Sequence, residues 1–201
     1  MCLLHVAGVL CGSIRSVLEN SWENRYFADL GTFYDQCSPG SIEAAMATAH
    51  LIHGYLGVGK TTLARRLERD IPAIRFSHDE WMTRLYGDDP PVEHFAEFCR
   101  RVSELLEEVW PRCLQLGTDV VLDFGWWARR ERDACRSKIA AIGGQARLYR
   151  VMCSEEESWR RIEKRNTDLW GSLYIARNTF EVLKHRFEPL GSDEEYIEII
   201  G

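Results

Sequence analysis

The feature that most constrains the fold of this chain is a glycine-rich octapeptide between a strand-like run and a helix-like run. Residues 54–61 read GYLGVGKT and fit the pattern G-x-x-x-x-G-K-[ST]. The run at 49–53 is short and largely apolar, as a buried parallel strand is, and the run at 62–69 carries apolar residues at helical spacing. A strand, a glycine turn and a helix in this order direct backbone N–H groups and a helix N-terminus at phosphate. The sequence therefore predicts a nucleotide site in this octapeptide, which we call the P-loop.

The P-loop residues have separate expected roles. Its glycines let the backbone curl around phosphate oxygens without Cβ clashes. Lys60 is expected to bridge the β- and γ-phosphates, Thr61 to offer its hydroxyl to Mg²⁺, and Thr62 to reach the α-phosphate. A lysine at a helix N-terminus opposes the helix dipole unless an anion lies between them, which argues against an ordinary surface lysine. The predicted nucleotide-binding residues are Gly54, Gly57, Val58, Gly59, Lys60, Thr61 and Thr62.

Composition is typical of a soluble globular protein of cytoplasmic type. The 201 residues are 45% hydrophobic and 28% charged, and no apolar run approaches the length of about 20 residues that a membrane span needs. Seven scattered cysteines without a Cys-x-x-Cys pair favour reduced thiols over disulfides or zinc. The net charge of −6 argues against broad attraction to nucleic acid, although a local basic groove is compatible with it. The oligomeric state is left open.

The chain divides into an N-terminal extension, residues 1–45, and a P-loop domain, residues 46–201. The extension holds clustered turn formers and no sustained helical or strand period. Met46 stands just before the first predicted strand, so the extension is either the product of a mis-called start or a genuine accessory arm.

Strand-like and helix-like runs alternate through the P-loop domain. This alternation predicts an α/β fold with a doubly wound, mostly parallel five-stranded sheet and helices on both faces, as in P-loop NTPases of the nucleotide-kinase type. Pro111 is expected to end or kink the long helix that begins after Pro91. The predicted strands are 49–53, 73–76, 119–123, 146–152 and 196–200, and the later helices are 129–142, 155–165 and 179–187.

Two aspartates follow predicted strands at the edge of the sheet that carries the P-loop. Asp123 closes an apolar strand and is expected to hold Mg²⁺ together with Thr61, the alternative being a cap for the turn at Gly125. Asp79 is expected to accept the proton of an attacking hydroxyl, the alternative being a helix N-cap. His78 is the weaker candidate for that base, because adjacent residues do not share a helix face.

Arginines and aromatic residues complete the candidate site. Arg161 and Arg165 lie four apart on one helix face, where they are expected to stabilise charge on the transferring phosphoryl group. The alternative is a solvated basic face paired with the glutamates at 155–157. Trp126 and Arg129 follow Asp123 and are expected to contact the substrate, although aromatic pairs also occur in cores.

Four segments resemble the P-loop kinases of the polynucleotide kinase, zeta toxin and chloramphenicol phosphotransferase type, in particular the stand-alone AAA-type proteins known as predicted kinases. These segments are residues 54–62, 77–80, 121–126 and 159–166, and the resemblance runs from residue 48 to about residue 190. It implies ATP, Mg²⁺ and phosphorylation of an alcohol. By this resemblance Asp79 matches the aspartate that activates the acceptor hydroxyl, and Arg161 and Arg165 match the lid arginines.

The expected function is transfer of the γ-phosphate of ATP to a hydroxyl of a small-molecule or nucleoside-like acceptor. Polynucleotide kinases of the resembling group present a basic channel, whereas this chain is acidic, so a nucleic-acid acceptor is less favoured. The alternatives are a regulatory ATPase or nucleotide-binding switch, a 5′-hydroxyl polynucleotide kinase, and a zeta-toxin-like kinase of sugar nucleotides. No Asn-Lys-x-Asp motif is present, which argues against a GTPase.

Overall fold

The computed structural model describes residues 46–168 and 172–201, in which strands and helices alternate. The strands are β1 (Thr48–His53), β2 (Ala73–Ser77), β3 (Asp119–Gly125), β4 (Gln145–Met152) and β5 (Ile197–Ile200). The helices are α1 (Lys60–Asp70), α2 (His78–Tyr86), α3 (Val92–Gln115), α4 (Arg129–Ala141), α5 (Glu155–Asn166) and α6 (Arg177–Leu183), the last continued by a 3₁₀ turn at Lys184–Arg186. The expectations for residues 1–45 fall outside the described residues.

The strands form one sheet in the order β2-β3-β1-β4-β5, and every strand pair is parallel. The predicted doubly wound α/β fold is therefore confirmed. Parallel neighbours place all their carboxyl ends at the same edge of the sheet, and the P-loop follows the central strand β1 at that edge. The strand register places Ser77, the last residue of β2, opposite Asp123 of β3. Asp123 and Asp79, which comes two residues after Ser77, therefore lie at the edge of the sheet that carries the P-loop.

Apolar side chains cover both faces of the sheet. On one face, Leu51 and Leu122 pack with Val102, Leu106 and Trp110 of α3 and with residues of α2 and α4. The opposite face of the sheet packs against α1, and its cluster consists of Ile52, Val58, Leu63, Ala64, Val121, Tyr149 and Val151. The alternation of side chains along each strand thus supplies both layers of a three-layer fold. Within the described ranges, no helix is long and apolar enough to cross a membrane.

The prediction that Pro111 ends the long helix is wrong, because α3 continues to Gln115. A proline inside a helix leaves the carbonyl four residues earlier without its N–H partner. That carbonyl belongs to Glu107, and the Lys138 ammonium of α4 donates to it at 3.1 Å. The same ammonium lies 4.9 Å from the ring centroid of the buried Trp110. Lys138 therefore supplies the bond that the proline cannot make.

The last predicted helix is shorter than expected. Regular α-helix covers Arg177–Leu183, and the chain tightens into the 3₁₀ turn where the Phe187 N–H donates to the carbonyl of Lys184. The helix predicted at 155–165 extends one residue further, to Asn166, as α5.

Candidate active site

The P-loop has a backbone that only glycine adopts easily at two positions. Gly57 has φ +73° and Gly59, the N-cap residue of α1, has φ +106°. A Cβ on Gly54 would lie 2.6 Å from the carbonyl oxygen of Val151, which belongs to the neighbouring strand β4. The glycines therefore serve a left-handed turn and a close approach to the sheet.

Three P-loop carbonyls are bound by side chains from other parts of the fold. The Trp127 indole donates to the carbonyl of Gly54 at 3.0 Å, the Ser158 hydroxyl donates to Leu56, and Arg161 donates to Val58 at 3.4 Å. In a trans peptide the N–H of the next residue points away from its carbonyl. The N–H groups of residues 55, 57 and 59 are thus directed away from these contacts, as a loop that binds an anion requires.

Lys60 lies across this loop. Its ammonium donates to the carbonyl of Tyr55 at 2.7 Å. The Tyr55 hydroxyl in turn donates to the carbonyl of Phe180 in the middle of α6. The lysine is therefore held inside the loop rather than extended into solvent.

Four charged side chains share one electrostatic environment at the P-loop. Burial lowers the pKa of Lys60, and the carboxylates of Asp123 and Asp79 oppose that shift. Burial raises the pKa of Asp123, and the Lys60 ammonium and the Thr61 hydroxyl oppose that shift. Burial likewise lowers the pKa of Arg165, which Asp79 opposes. The structure thus brings together a lysine, an arginine and two aspartates that the sequence analysis selected separately.

Two buried polar atoms of this group have no hydrogen-bond partner among the described residues: Asp123 Oδ2 and Arg165 Nε. Buried polar atoms are nearly always satisfied in native proteins, so each of these atoms indicates a ligand. A carboxylate oxygen beside the Thr61 hydroxyl has the oxygen chemistry that Mg²⁺ requires. No group of three or more His, Cys, Asp or Glu side chains within the described ranges can hold a metal by itself. A Mg²⁺ ion here would take its remaining ligands from phosphate oxygens and water.

Asp79 is the second residue of α2 and is exposed. Ser77 occupies the N-cap position of this helix, so the alternative role of Asp79 as an N-cap does not hold. The following Glu80 fixes the helix, because it accepts hydrogen bonds from Arg65 at 2.8 Å and from Arg75 at 2.9 Å. His78 faces α3, where its Nε2 lies 3.2 Å from the Ser103 hydroxyl.

The two arginines of α5 have different surroundings. Arg161 donates to Glu157 at 2.6 Å as well as to the Val58 carbonyl, so it links α5 to the P-loop. Arg165, one turn later, has the buried, unpartnered Nε next to Asp79. Arg160 is exposed and paired with Glu157 at 2.8 Å, as the alternative of a solvated basic face describes.

A model of the family described as AAA domain matches residues 50–190, which is well over half of the chain. The chain belongs to this family. The match begins inside β1 and covers all six helices and the strands β2, β3 and β4. Among curated proteins, the sequence search finds no relative.

Solved structures resemble this AAA domain at low sequence identity. A proposed kinase from Chloroflexus aurantiacus is 18% identical with a TM-score of 0.61, covering 77% of this chain and 88% of its own. A sugar kinase from Janibacter sp. is 17% identical with a TM-score of 0.54, covering 77% and 85%. Kti12 from Chaetomium thermophilum, solved with ADP-AlF3, is 17% identical with a TM-score of 0.54, covering 76% and 87%. These likenesses establish a P-loop kinase fold, and with the family match they confirm the predicted resemblance to AAA-type P-loop kinases.

The AAA domain does not place Trp126 and Arg129 with the other candidate residues. Trp126 is only 7% exposed, belongs to the core and donates its indole N–H to the carbonyl of Leu122 at 3.1 Å. Arg129 is held by Asp133 at 2.8 Å and by both carboxylate oxygens of Asp193. The Trp126 indole therefore packs in the core and Arg129 joins α4 to the segment before β5, and contact of either side chain with a substrate stays a prediction.

Trp127 is the residue that sequence reasoning missed in the AAA domain. Its indole holds the Gly54 carbonyl, and its ring lies 5.5 Å from that of Tyr55. Its position depends on Arg132, a fully buried guanidinium that donates to the carbonyls of residues 126 and 127 at 3.0 Å each and to both carboxylate oxygens of Glu194 at 2.8 Å. We call Arg132, Glu194 and the two tryptophan carbonyls the Arg132 clamp. The only signal in the sequence was the paired tryptophans.

Proposed function

We propose that this AAA domain is an ATP-dependent kinase that transfers the γ-phosphate of ATP to a hydroxyl of a small-molecule or nucleoside-like acceptor. The observation that carries the proposal is the convergence of Lys60, Arg165, Asp79 and Asp123 on one P-loop. The structural neighbours give further support, since they include a sugar kinase and a protein that binds a nucleotide with a phosphate analogue.

Binding of the triphosphate is assigned to the P-loop. Its free N–H groups and the N-terminus of α1 surround phosphate oxygens, and Lys60 exchanges its Tyr55 carbonyl for the β- and γ-phosphates. Thr61 and Asp123 would hold Mg²⁺, which supplies charge neutralisation on the phosphates when it is bound.

Proton transfer is assigned to Asp79. Its exposed carboxylate, which the fixed helix α2 presents beside Lys60 and Arg165, takes the proton of the acceptor hydroxyl. The acceptor oxygen then forms a bond to the γ-phosphorus, and the bond between that phosphorus and the bridging oxygen breaks, so ADP leaves. Among the described residues Arg165 Nε has no hydrogen-bond partner, so it can donate to the γ-phosphate oxygens as their charge spreads.

The test is transfer of label from γ-labelled ATP to pooled nucleosides, sugars, aminoglycosides, 5′-hydroxyl oligonucleotides and a cell metabolite extract. The variants are Asp79→Asn and, as a matched control, Asp89→Asn, which changes an exposed aspartate in the loop after α2. We expect label in one pool, a loss of about 10²–10⁴-fold in Asp79→Asn with ATP affinity retained, and no change in Asp89→Asn.

Two outcomes would overturn parts of this assignment. Label released only as inorganic phosphate in every pool would favour the alternative of a regulatory ATPase. Unchanged transfer by Asp79→Asn would show that another group accepts the proton.

A further inference from the structure

One face of α2 leads from the candidate base to an aromatic pair. Asp79, Thr83 and Tyr86 are spaced four and three residues apart, so they line one face of the helix over about 10 Å. The Thr83 hydroxyl donates within the helix to the Glu80 carbonyl at 3.1 Å. Trp81 lies on the opposite face and is 40% exposed.

The same stretch of α3 borders both ends of this face. The Tyr86 ring stacks on Phe98 with centroids 3.8 Å apart and planes 1° from parallel, and both rings are half-buried. The next residue, Cys99, lies at the other end of the face, because its carbonyl oxygen is 3.2 Å from Nε2 of His78, the neighbour of Asp79. The Asp79 carboxylate adds to the effect of burial in raising the pKa of the Cys99 thiol. Phe98 and Cys99 therefore form a wall that joins the proton acceptor to the aromatic pair.

This region is acidic and its cations are engaged elsewhere. The segment from His78 to Glu93 holds five carboxylates and one guanidinium, that of Arg84. Arg84 is five residues after Asp79, about 140° around the helix, and so does not share its face. The neighbouring arginines are paired: Arg65 and Arg75 with Glu80, Arg100 with Glu104, and Arg101 with Glu97. Among the described residues, the cations beside Asp79 are Lys60 and Arg165, and the proposed mechanism assigns both to ATP. A further phosphate group on the acceptor would therefore meet like charge on this face of α2 without another arginine to receive it.

We infer that the acceptor is a non-phosphorylated alcohol with a flat apolar group, such as an aromatic ring, which lies on the Tyr86–Phe98 wall while its hydroxyl reaches Asp79. This inference rests on the proposed kinase function. Flat apolar surface binds flat apolar groups, and the 10 Å length of the face, about seven helical residues, suits a ring joined to a short polyol.

The experiment fractionates one metabolite extract in two ways and does not require the acceptor to be known. One half is treated with alkaline phosphatase, which is then removed, and each half is passed over an apolar resin to give retained and unretained fractions. Every fraction is incubated with the full chain, Mg²⁺ and γ-labelled ATP. We expect acceptor activity that survives phosphatase and that lies in the retained fraction.

Two variants and a control locate the binding surface. Phe98→Leu and Tyr86→Leu should each raise the KM for the acceptor by about 5–50-fold while leaving the KM for ATP unchanged. Trp81→Leu, which removes an aromatic ring from the opposite face of α2, should change neither KM. The unchanged KM for ATP also shows that the variants fold.

Failure of this inference differs from failure of the kinase function. Acceptor activity that phosphatase destroys, or that passes unretained, would overturn the inference while leaving the kinase intact. A KM for the acceptor that is unaffected by Phe98→Leu would do the same. Absence of label from every fraction, together with release of inorganic phosphate, would instead overturn the proposed kinase and this inference with it.

Discussion

Replacement of Arg132 by Met should destabilise the domain strongly and weaken ATP binding. The Arg132 guanidinium is fully buried with its partner Glu194, and the neighbouring Arg136 also donates to that carboxylate at 2.7 Å. Hydrogen bonds from Arg132 and Arg136 hold the pKa of Glu194 far below its usual range. Methionine would fill the space of the arginine stem but would remove the charge and the two hydrogen bonds that Arg132 gives the buried Glu194 carboxylate, leaving Arg136 and the Gly191 N–H as its donors. The carbonyls of residues 126 and 127 would lose their Arg132 donor as well.

Removal of one member of a buried ion pair costs about 3–5 kcal/mol. Each kcal/mol shifts the Tm of a domain of this size by about 2–4 °C, so the Tm should fall by roughly 6–20 °C. Glu194→Gln keeps a hydrogen-bond acceptor and removes the charge, and it should cost about 1–3 kcal/mol. The combination of Arg132→Met with Glu194→Gln should cost less than the two single changes together, by about 0.5–3 kcal/mol.

The assays are urea unfolding followed by circular dichroism at neutral pH and isothermal titration with ATP. Arg130→Met serves as the control, since Arg130 is exposed on the same turn of α4. The ATP dissociation constant should rise in Arg132→Met under conditions where the variant is folded, because the clamp positions Trp127 against the P-loop. A destabilisation below about 1 kcal/mol, or strictly additive effects in the double variant, would refute this reasoning.

Three further predictions concern the P-loop and β1. Burial lowers the pKa of His53 from 6.5 to about 4, so between these pH values the imidazole is protonated in the unfolded chain and neutral in the folded one. The free energy of unfolding should therefore fall by about 3 kcal/mol as the pH drops from 6.5 to 4. In urea unfolding at several pH values, a His53→Asn variant should not show this fall. Gly57→Ala should weaken ATP binding at least about tenfold by titration calorimetry, because its φ is positive and a Cβ would overlap a neighbouring carbonyl, whereas Gly143→Ala, with similar φ and open space, should retain affinity. Trp127→Phe removes the donor to the Gly54 carbonyl while keeping a ring, and a rise of about 5–10-fold in the ATP dissociation constant is expected; equal affinity would show that the indole bond is dispensable.

Features that depend on local chemistry were predictable from the sequence. The β1–P-loop–α1 unit follows from glycines and apolar spacing within about twenty residues of chain, and the family match and fold confirm it. Asp79 and Asp123 were selected because they lie at the carboxyl ends of predicted parallel strands, which share an edge of the sheet, and their roles stay predictions.

Features that depend on distant partners were not predictable. α3 continues past Pro111 because Lys138, which belongs to another helix, bonds the carbonyl of Glu107. Trp126 was misplaced because β3 extends two residues beyond the predicted end and the chain then turns with a positive φ of 49° at that tryptophan. Neither the continuation of α3 nor the position of Trp126 can be inferred from the spacing of residues in the sequence.

The Arg132 clamp also has a consequence for the order in which a newly made chain matures on the ribosome. The P-loop ends at Thr61, whereas Glu194, which completes the clamp behind Trp127, is synthesised 133 residues later. β1 and α1 are therefore made long before the residue that completes the support of the glycine loop. The final shape of the P-loop depends on a segment that emerges much later than the loop itself.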